Sequence, residues 1–208
     1  EKKKKFKFNN INNSNIKLNS SQKNAVEIIE NIISKKNYAA ILLDGVTGSG
    51  KTEVYFQAIL NALKHNKQVL VLLPEIYLST EWTIRFKNYF GDAPLIWHSN
   101  LSKRVRRETW EKIENGENNV IVGARSALFL PFKNLGLIVD DEEHDHSFKQ
   151  EEGVLYNARD MALIRAKIEN IAIILSSATP SMESWVNAKN SKFAYVRLSE
   201  RIGVAKMP

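Results

Sequence analysis

Residues 45–52 read GVTGSGKT, the spacing G-x-x-x-x-G-K-[ST] of a loop that cradles phosphate. Gly45, Gly48 and Gly50 free the backbone to turn its N–H groups inward around phosphate oxygens. Lys51 brings a cation to the β- and γ-phosphates, and Thr52 offers a hydroxyl to Mg²⁺. Val46, Thr47 and Ser49 complete the nucleotide-binding stretch. A helix starting at this point adds its positive end to the same anion site. A second group of reactive side chains follows an apolar run at 135–139: Asp140, Asp141, Glu142, Glu143 and His144. Two adjacent carboxylates suit hydrolysis, one reaching Mg²⁺ while the next orients and deprotonates the attacking water. His144 is a poor zinc ligand, because no cysteine or paired histidine lies at ligand spacing.

Those residues need elements to hold them. Residues 39–43 (AAILL) form a short apolar run of the kind found in buried parallel strands. Residues 53–64 carry Val54, Tyr55, Ala58, Ile59, Ala62 and Leu63 at helical spacing. Further strand-like runs lie at 68–73, 94–97, 120–123, 135–139, 171–175 and 194–198. Helical patterns occupy 102–115 and 157–169, the latter with Asn157 as its cap and Asp160 three residues on. Near the start, Ser20 or Ser21 is expected to cap a helix whose apolar stripe is Ala25, Ile28, Ile29, Ile32 and Ile33. Alternating strand and helix predict an α/β fold, a P-loop NTPase with a mostly parallel sheet covered by helices on both faces. Acidic residues at the carboxyl end of such a strand face the crevice where ligands bind. Residues 1–19 are rich in Lys and Asn and read as a linker or basic tail.

The 208 residues suffice for one substantial domain, and a 43% hydrophobic, 25% charged composition is that of a globular protein. No apolar run approaches the roughly 18–20 residues of a membrane span, so no membrane partner is expected. There is no cysteine, hence neither a disulfide nor a thiolate zinc site. A net charge of +7 suggests a polyanionic partner. Part of that charge crowds 2–7, and part lies in Lys103, Arg104, Arg106 and Arg107. The chain begins with Glu1 rather than Met and is expected to be a segment of something larger.

The string DEEH at 141–144 is similar to the DEAD/DEAH box of superfamily 2 helicases. LLDGVTGSGKTEVY, LLPEIYLST, VGARSALFLPF, DEEHDHSFKQEEG and SSATPSMES follow one another in this order. Together they resemble the primosomal protein N′ (PriA) family of bacterial replication-restart DNA helicases, from about Leu18 to the C-terminus. The resemblance implies the first RecA-like lobe, with 20–208 as a helicase ATP-binding domain, ATP as the nucleotide and Mg²⁺ as its metal. It implies that Gln22 reads the adenine edge, that Lys51 and Thr52 serve phosphate and metal, that Asp141 holds the metal, and that Glu142 handles the water. His144 would couple the nucleotide site to Ser177 and Thr179.

Pro74-Glu75-Ile76 and Gly123-Ala124-Arg125-Ser126 match the family's segments that meet single-stranded DNA. The stretch 145–157 resembles its aromatic-rich loop, with Phe148 and Tyr156 able to stack on bases. Three departures stand out. Asp140 replaces an apolar strand residue and is expected to put an extra charge near the metal; Ala124 replaces a threonine; Val154 and Leu155 replace a tryptophan and an arginine. The family's zinc-binding cysteines, second lobe and fork-binding domain have no counterpart in these residues, so the fragment alone is expected to bind ATP weakly and turn it over slowly.

The implied function is that of an ATP-dependent 3′–5′ helicase, a bacterial cytoplasmic enzyme of stalled or branched forks. It would restart replication and begin primosome assembly. Its partners would be single-stranded and forked DNA, single-strand-binding protein and primosome or helicase-loading proteins. The rival readings are another superfamily 2 translocase of fork remodelling or repair, and a nucleotide-switched DNA-binding assembly factor that does not unwind.

Overall fold

The computed structural model describes residues 18–75, 81–117 and 119–201. All seven expected apolar runs are strands of one parallel sheet: β1 (Ala39–Gly45), β2 (Gln68–Leu72), β3 (Leu95–Trp97), β4 (Val120–Gly123), β5 (Leu135–Asp141), β8 (Ala172–Ser177) and β9 (Ala194–Leu198). Their order is β3-β4-β2-β5-β8-β1-β9. The short strands β6 (Lys149–Gln150) and β7 (Tyr156–Asn157) form a separate antiparallel pair within the loop after β5. The stretch that resembles an aromatic-rich loop thus contains a short β-ribbon.

The strands are mainly apolar because both sheet faces are covered, and side chains alternate between the two. Ile41, Leu43, Val69, Val71, Leu137 and Val139 pack under α1 (Ser20–Ile33), α2 (Lys51–Lys64) and α3 (Glu81–Phe90). Ala40, Leu42, Leu70, Ile138, Ile173 and Leu175 face the other layer, which holds Ile113 of α4 (Lys103–Glu114) and Ala158, Ala162 and Ala166 of α5 (Ala158–Ile168). Helix α6 (Met182–Lys189) follows the turn after β8.

Two caps decide where helices near the site begin. Asn157 caps α5 as expected, accepting the Arg159 N–H at 3.0 Å. The first helix is capped by Asn19, not by Ser20 or Ser21. Asn19 Oδ1 accepts the Gln22 N–H at 2.8 Å, and Gln22 Oε1 accepts the Asn19 N–H at 2.9 Å. That reciprocal arrangement satisfies two helix-end donors at once, so Asn19 belongs to the helix rather than to the linker. Residues 1–17, with the basic run at 2–7, and Ile76 of the PEI segment lie outside the described residues.

Helix α3 was not foreseen. Trp82, Phe86, Tyr89 and Phe90 form its buried side, and Phe56 of α2 meets all four rings at centroid distances of 5.1–5.7 Å. The Arg85–Glu53 ion pair and a Gln57–Tyr89 hydrogen bond fasten the same two helices.

Candidate nucleotide and DNA site

Three strand ends converge at one sheet edge. Gly45 ends β1, Asp141 ends β5, and Ser177 ends β8 between them. The loop after β1 turns into α2 through Gly50, at φ 83°, which sets the N-cap in the left-handed region without a side-chain cap. The first-turn N–H groups of α2 are therefore left for an anion. At Gly45 a Cβ would sit 2.6 Å from Ser49 Oγ and 3.0 Å from Leu198 Cβ, so close packing as well as turning demands glycine. The Lys51 ammonium is 8% exposed and donates to the Gly45 carbonyl at 2.8 Å. Ser49 Oγ is buried with no protein partner. Uncapped donors, an orphan hydroxyl and an inward cation fit a triphosphate.

Both oxygens of Asp141 are held by hydroxyls. Ser176 Oγ donates to Oδ1 at 2.7 Å, and Tyr55 Oη donates to Oδ2 at 2.8 Å. Burial pushes this carboxyl up, while the two hydroxyls and the Lys51 charge pull it down. An anion beside Thr52 and Lys51 fits a hydrated Mg²⁺ better than it fits an empty apolar pocket. Among the described residues there is no group of three or more His, Cys, Asp or Glu side chains that could hold a metal without such help.

Glu142 has φ 58°. The other non-glycine residues with positive φ among those described, Lys36, Asn66, Asn170 and Ser191, follow helix ends, where that conformation is routine. At a strand end it costs of order 1 kcal/mol and is characteristic of functional positions. Burial, and then the neighbouring Asp141, push the Glu142 carboxyl up. His144 Nδ1 lies 3.6 Å from Glu142 Oε2 and 2.7 Å from Ser177 Oγ. Thr179 reaches the same Ser177 oxygen through its backbone N–H at 3.0 Å, not through its hydroxyl. Gln22 is buried, and its Nε2 donates to the Ser49 carbonyl at 3.3 Å, so its amide touches the phosphate loop itself.

Asp140 is corrected by the structure. It alternates to the opposite face from Asp141, where it is fully buried and neither carboxylate oxygen finds a partner. Burial, then the nearby Glu143, push its carboxyl well up. It adds no charge to the phosphate side.

The expected DNA-facing residues gather only in part. Glu75, Arg125 and Phe148 line one small cleft with Leu73, Ala124 and Ser147. Pro74 is buried, whereas Glu75 is exposed and accepts from Ser99 Oγ at 3.3 Å. Arg125 Nη1 donates to the Lys149 carbonyl at 2.7 Å, tying the segment after β4 to the start of β6. Ser126 is exposed and accepts from Trp97 Nε1 at 3.2 Å. Phe148 is 1% exposed and sits in the core under α5, so it has no free face for a base. Tyr156 is half-buried and edge-on to Phe129, which is itself 54% exposed. Val154 and Leu155 stand out from the tip between β6 and β7 at 78% and 72% exposure.

The DEAD/DEAH box helicase family matches residues 19–187. The chain belongs to this family. Along its whole length it is similar to replication restart protein PriA of Rickettsia felis, with 45% identity over 100% of this chain and 32% of the relative. The same protein of Haemophilus influenzae is 49% identical over 78% of this chain and 22% of its own length. The chain thus spans a third or less of the curated relatives it matches. Among solved structures, RecG bound to a three-way DNA junction superposes with a TM-score of 0.70 at 25% identity, covering 92% of this chain and 25% of that one. The fold of this helicase domain is therefore the RecA-like α/β lobe.

Three contributors to this helicase site escaped the sequence reading. Ser176 and Tyr55 fix Asp141, and both looked like ordinary members of a strand and a helix. Glu143 looked like one more acid in a string. Its carboxylate accepts from Ser181 N at 2.7 Å, and from Ser181 Oγ and Ser184 Oγ at 2.9 Å each. It also pairs with the buried Arg159 at 3.4 Å. It therefore joins the end of β5 to the starts of α5 and α6. No spacing rule in the sequence signals that junction.

Proposed function

We propose that residues 20–208 are the ATP-binding lobe of an ATP-dependent 3′–5′ DNA helicase of bacterial replication restart, acting at stalled or branched forks and initiating primosome assembly. The observation that carries this reading is the meeting of Lys51 with the Asp141–Glu142 pair at one sheet edge. Backbone N–H groups of 45–52 and the Lys51 ammonium would hold the phosphates of ATP, with Gln22 at the adenine. Thr52 and Asp141 would hold Mg²⁺, which supplies neutralisation of charge on the phosphate oxygens. Glu142 then takes the proton of the attacking water, a task suited by its raised carboxyl. His144 Nδ1, hydrogen-bonded to Ser177 and 3.6 Å from Glu142, would stand between that acid and the turn after β8.

Single-stranded DNA would run past Glu75, Arg125, Ser126 and Tyr156, with Val154 and Leu155 as apolar contacts in place of Phe148. The likeness to RecG, which is bound to a three-way junction, supports branched DNA as the substrate. The names of the curated relatives support replication restart; in this reading single-strand-binding and helicase-loading proteins would be its partners and the cytoplasm its compartment. Steady-state ATP hydrolysis by the full-length protein, with and without single-stranded and forked DNA, tests the reading. DNA should raise turnover at least about tenfold, as expected of a site whose catalytic geometry is completed on binding. Turnover indifferent to DNA would overturn it.

A further inference from the structure

Resting on the reading of Asp141 as the metal-holding carboxylate, we propose that Tyr55 is a positioning residue for it. In this proposal Trp82 conveys the placement of α3 to Asp141 through the Tyr55 hydroxyl. Tyr55 lies four residues after Lys51 on α2, hence on the same helix face, and is fully buried. Its hydroxyl accepts the Trp82 indole N–H at 2.6 Å and donates to Asp141 Oδ2 at 2.8 Å.

The direction of this chain is fixed by chemistry. An indole N–H can only donate, so the tyrosine oxygen accepts and its single proton is committed to the carboxylate. Linked donors polarise one another, so losing the first bond weakens the second. With Ser176 holding the other oxygen, both atoms of Asp141 are oriented while the carboxylate still has a lone pair for a cation or its water.

The far end of the chain is mechanically defined. Trp82 is the second residue of α3, eight residues beyond Pro74. Phe56 meets Trp82, Phe86, Tyr89 and Phe90 edge-on, so the placement of α3 against α2 fixes where the Trp82 indole lies.

The test uses the full-length protein and a fluorescent non-hydrolysable ATP analogue titrated with Mg²⁺. Tyr55→Phe keeps the ring and removes only the hydroxyl. It should raise the Mg²⁺ concentration for half-maximal binding about tenfold, the usual cost of losing a partner behind a metal ligand. Nucleotide affinity in EDTA should be unchanged. Trp82→Phe should move the Mg²⁺ midpoint in the same direction by about a third as much on a logarithmic scale, as cooperative weakening predicts. In protein carrying 5-fluorotryptophan, the Trp82 ¹⁹F resonance should shift when Mg²⁺ and the analogue bind, and not shift in Tyr55→Phe. A wild-type midpoint in Tyr55→Phe, alongside a raised one in Asp141→Asn, would overturn the relay and leave the metal site standing. An unchanged midpoint in Asp141→Asn would overturn both. If Tyr55→Phe does not fold, Trp82→Phe decides, and a wild-type midpoint there rejects the relay.

Discussion

Asp140 and Asp141 are bonded neighbours with opposite surroundings. One is aimed at hydroxyls and a lysine, and the other is fully buried on the opposite face, near Glu143 and Arg159, with no hydrogen-bond partner. The second arrangement opposes folding, since an unsatisfied buried polar group costs about 1–3 kcal/mol. Asp140→Val restores the apolar pattern of an interior strand and should stabilise the protein by a similar amount at pH 7, read by urea unfolding. The sign with pH follows from the raised carboxyl. Near pH 4 the unfolded Asp begins to release its proton, at about 3.9, while the folded one keeps it. The wild type therefore loses stability as pH rises from there, and the gap to Asp140→Val should widen from pH 4 to pH 7. Glu142 is also raised, but it must be deprotonated to act. Turnover should fall as pH drops through a value above the ordinary glutamate range, near 4.3. Glu142→Gln should retain nucleotide affinity, remove that acidic limb and lower turnover by about 10²–10⁴.

At the scale of elements, the strands were legible because a parallel sheet covered on both faces writes continuous apolar runs into the chain. Helix α3 was less so. Its buried residues fall at helical spacing and Ser79-Thr80 precede it, yet aromatic residues suit strands as readily. Helix α6 spans only Met182–Lys189, too short for periodicity to distinguish it. Phe148 illustrates a different limit: composition places an aromatic in a loop, but which way it points is settled by packing under α5. Glu143 is the element-scale counterpart, invisible as a junction until the starts of α5 and α6 are brought together around it. Removing one partner of a buried charge pair is expensive. Glu143→Ala should destabilise the protein by about 3 kcal/mol or more, measured as a lowered denaturation midpoint.

For the whole molecule, the parallel sheet delivers the phosphate loop, the acid pair and the β8 turn to one edge, while the segments after β2 and β4 open at the same edge farther along. That layout was readable from the order of motifs. The facing of Asp140, the left-handed backbone of Glu142 and the Asn19–Gln22 cap were not, because each depends on neighbours distant in sequence or on local backbone geometry. In the proposed function that edge would join ATP chemistry to a DNA path, with unwinding powered through Glu142. Strand displacement on forked DNA by the full-length protein, in parallel with Glu142→Gln, measures it most directly. Wild-type protein with ATP and Mg²⁺ should separate a fork entered from a 3′ single strand, and Glu142→Gln should bind the same fork without opening it. Equal unwinding by the two proteins, or none by the wild type, would contradict the claim.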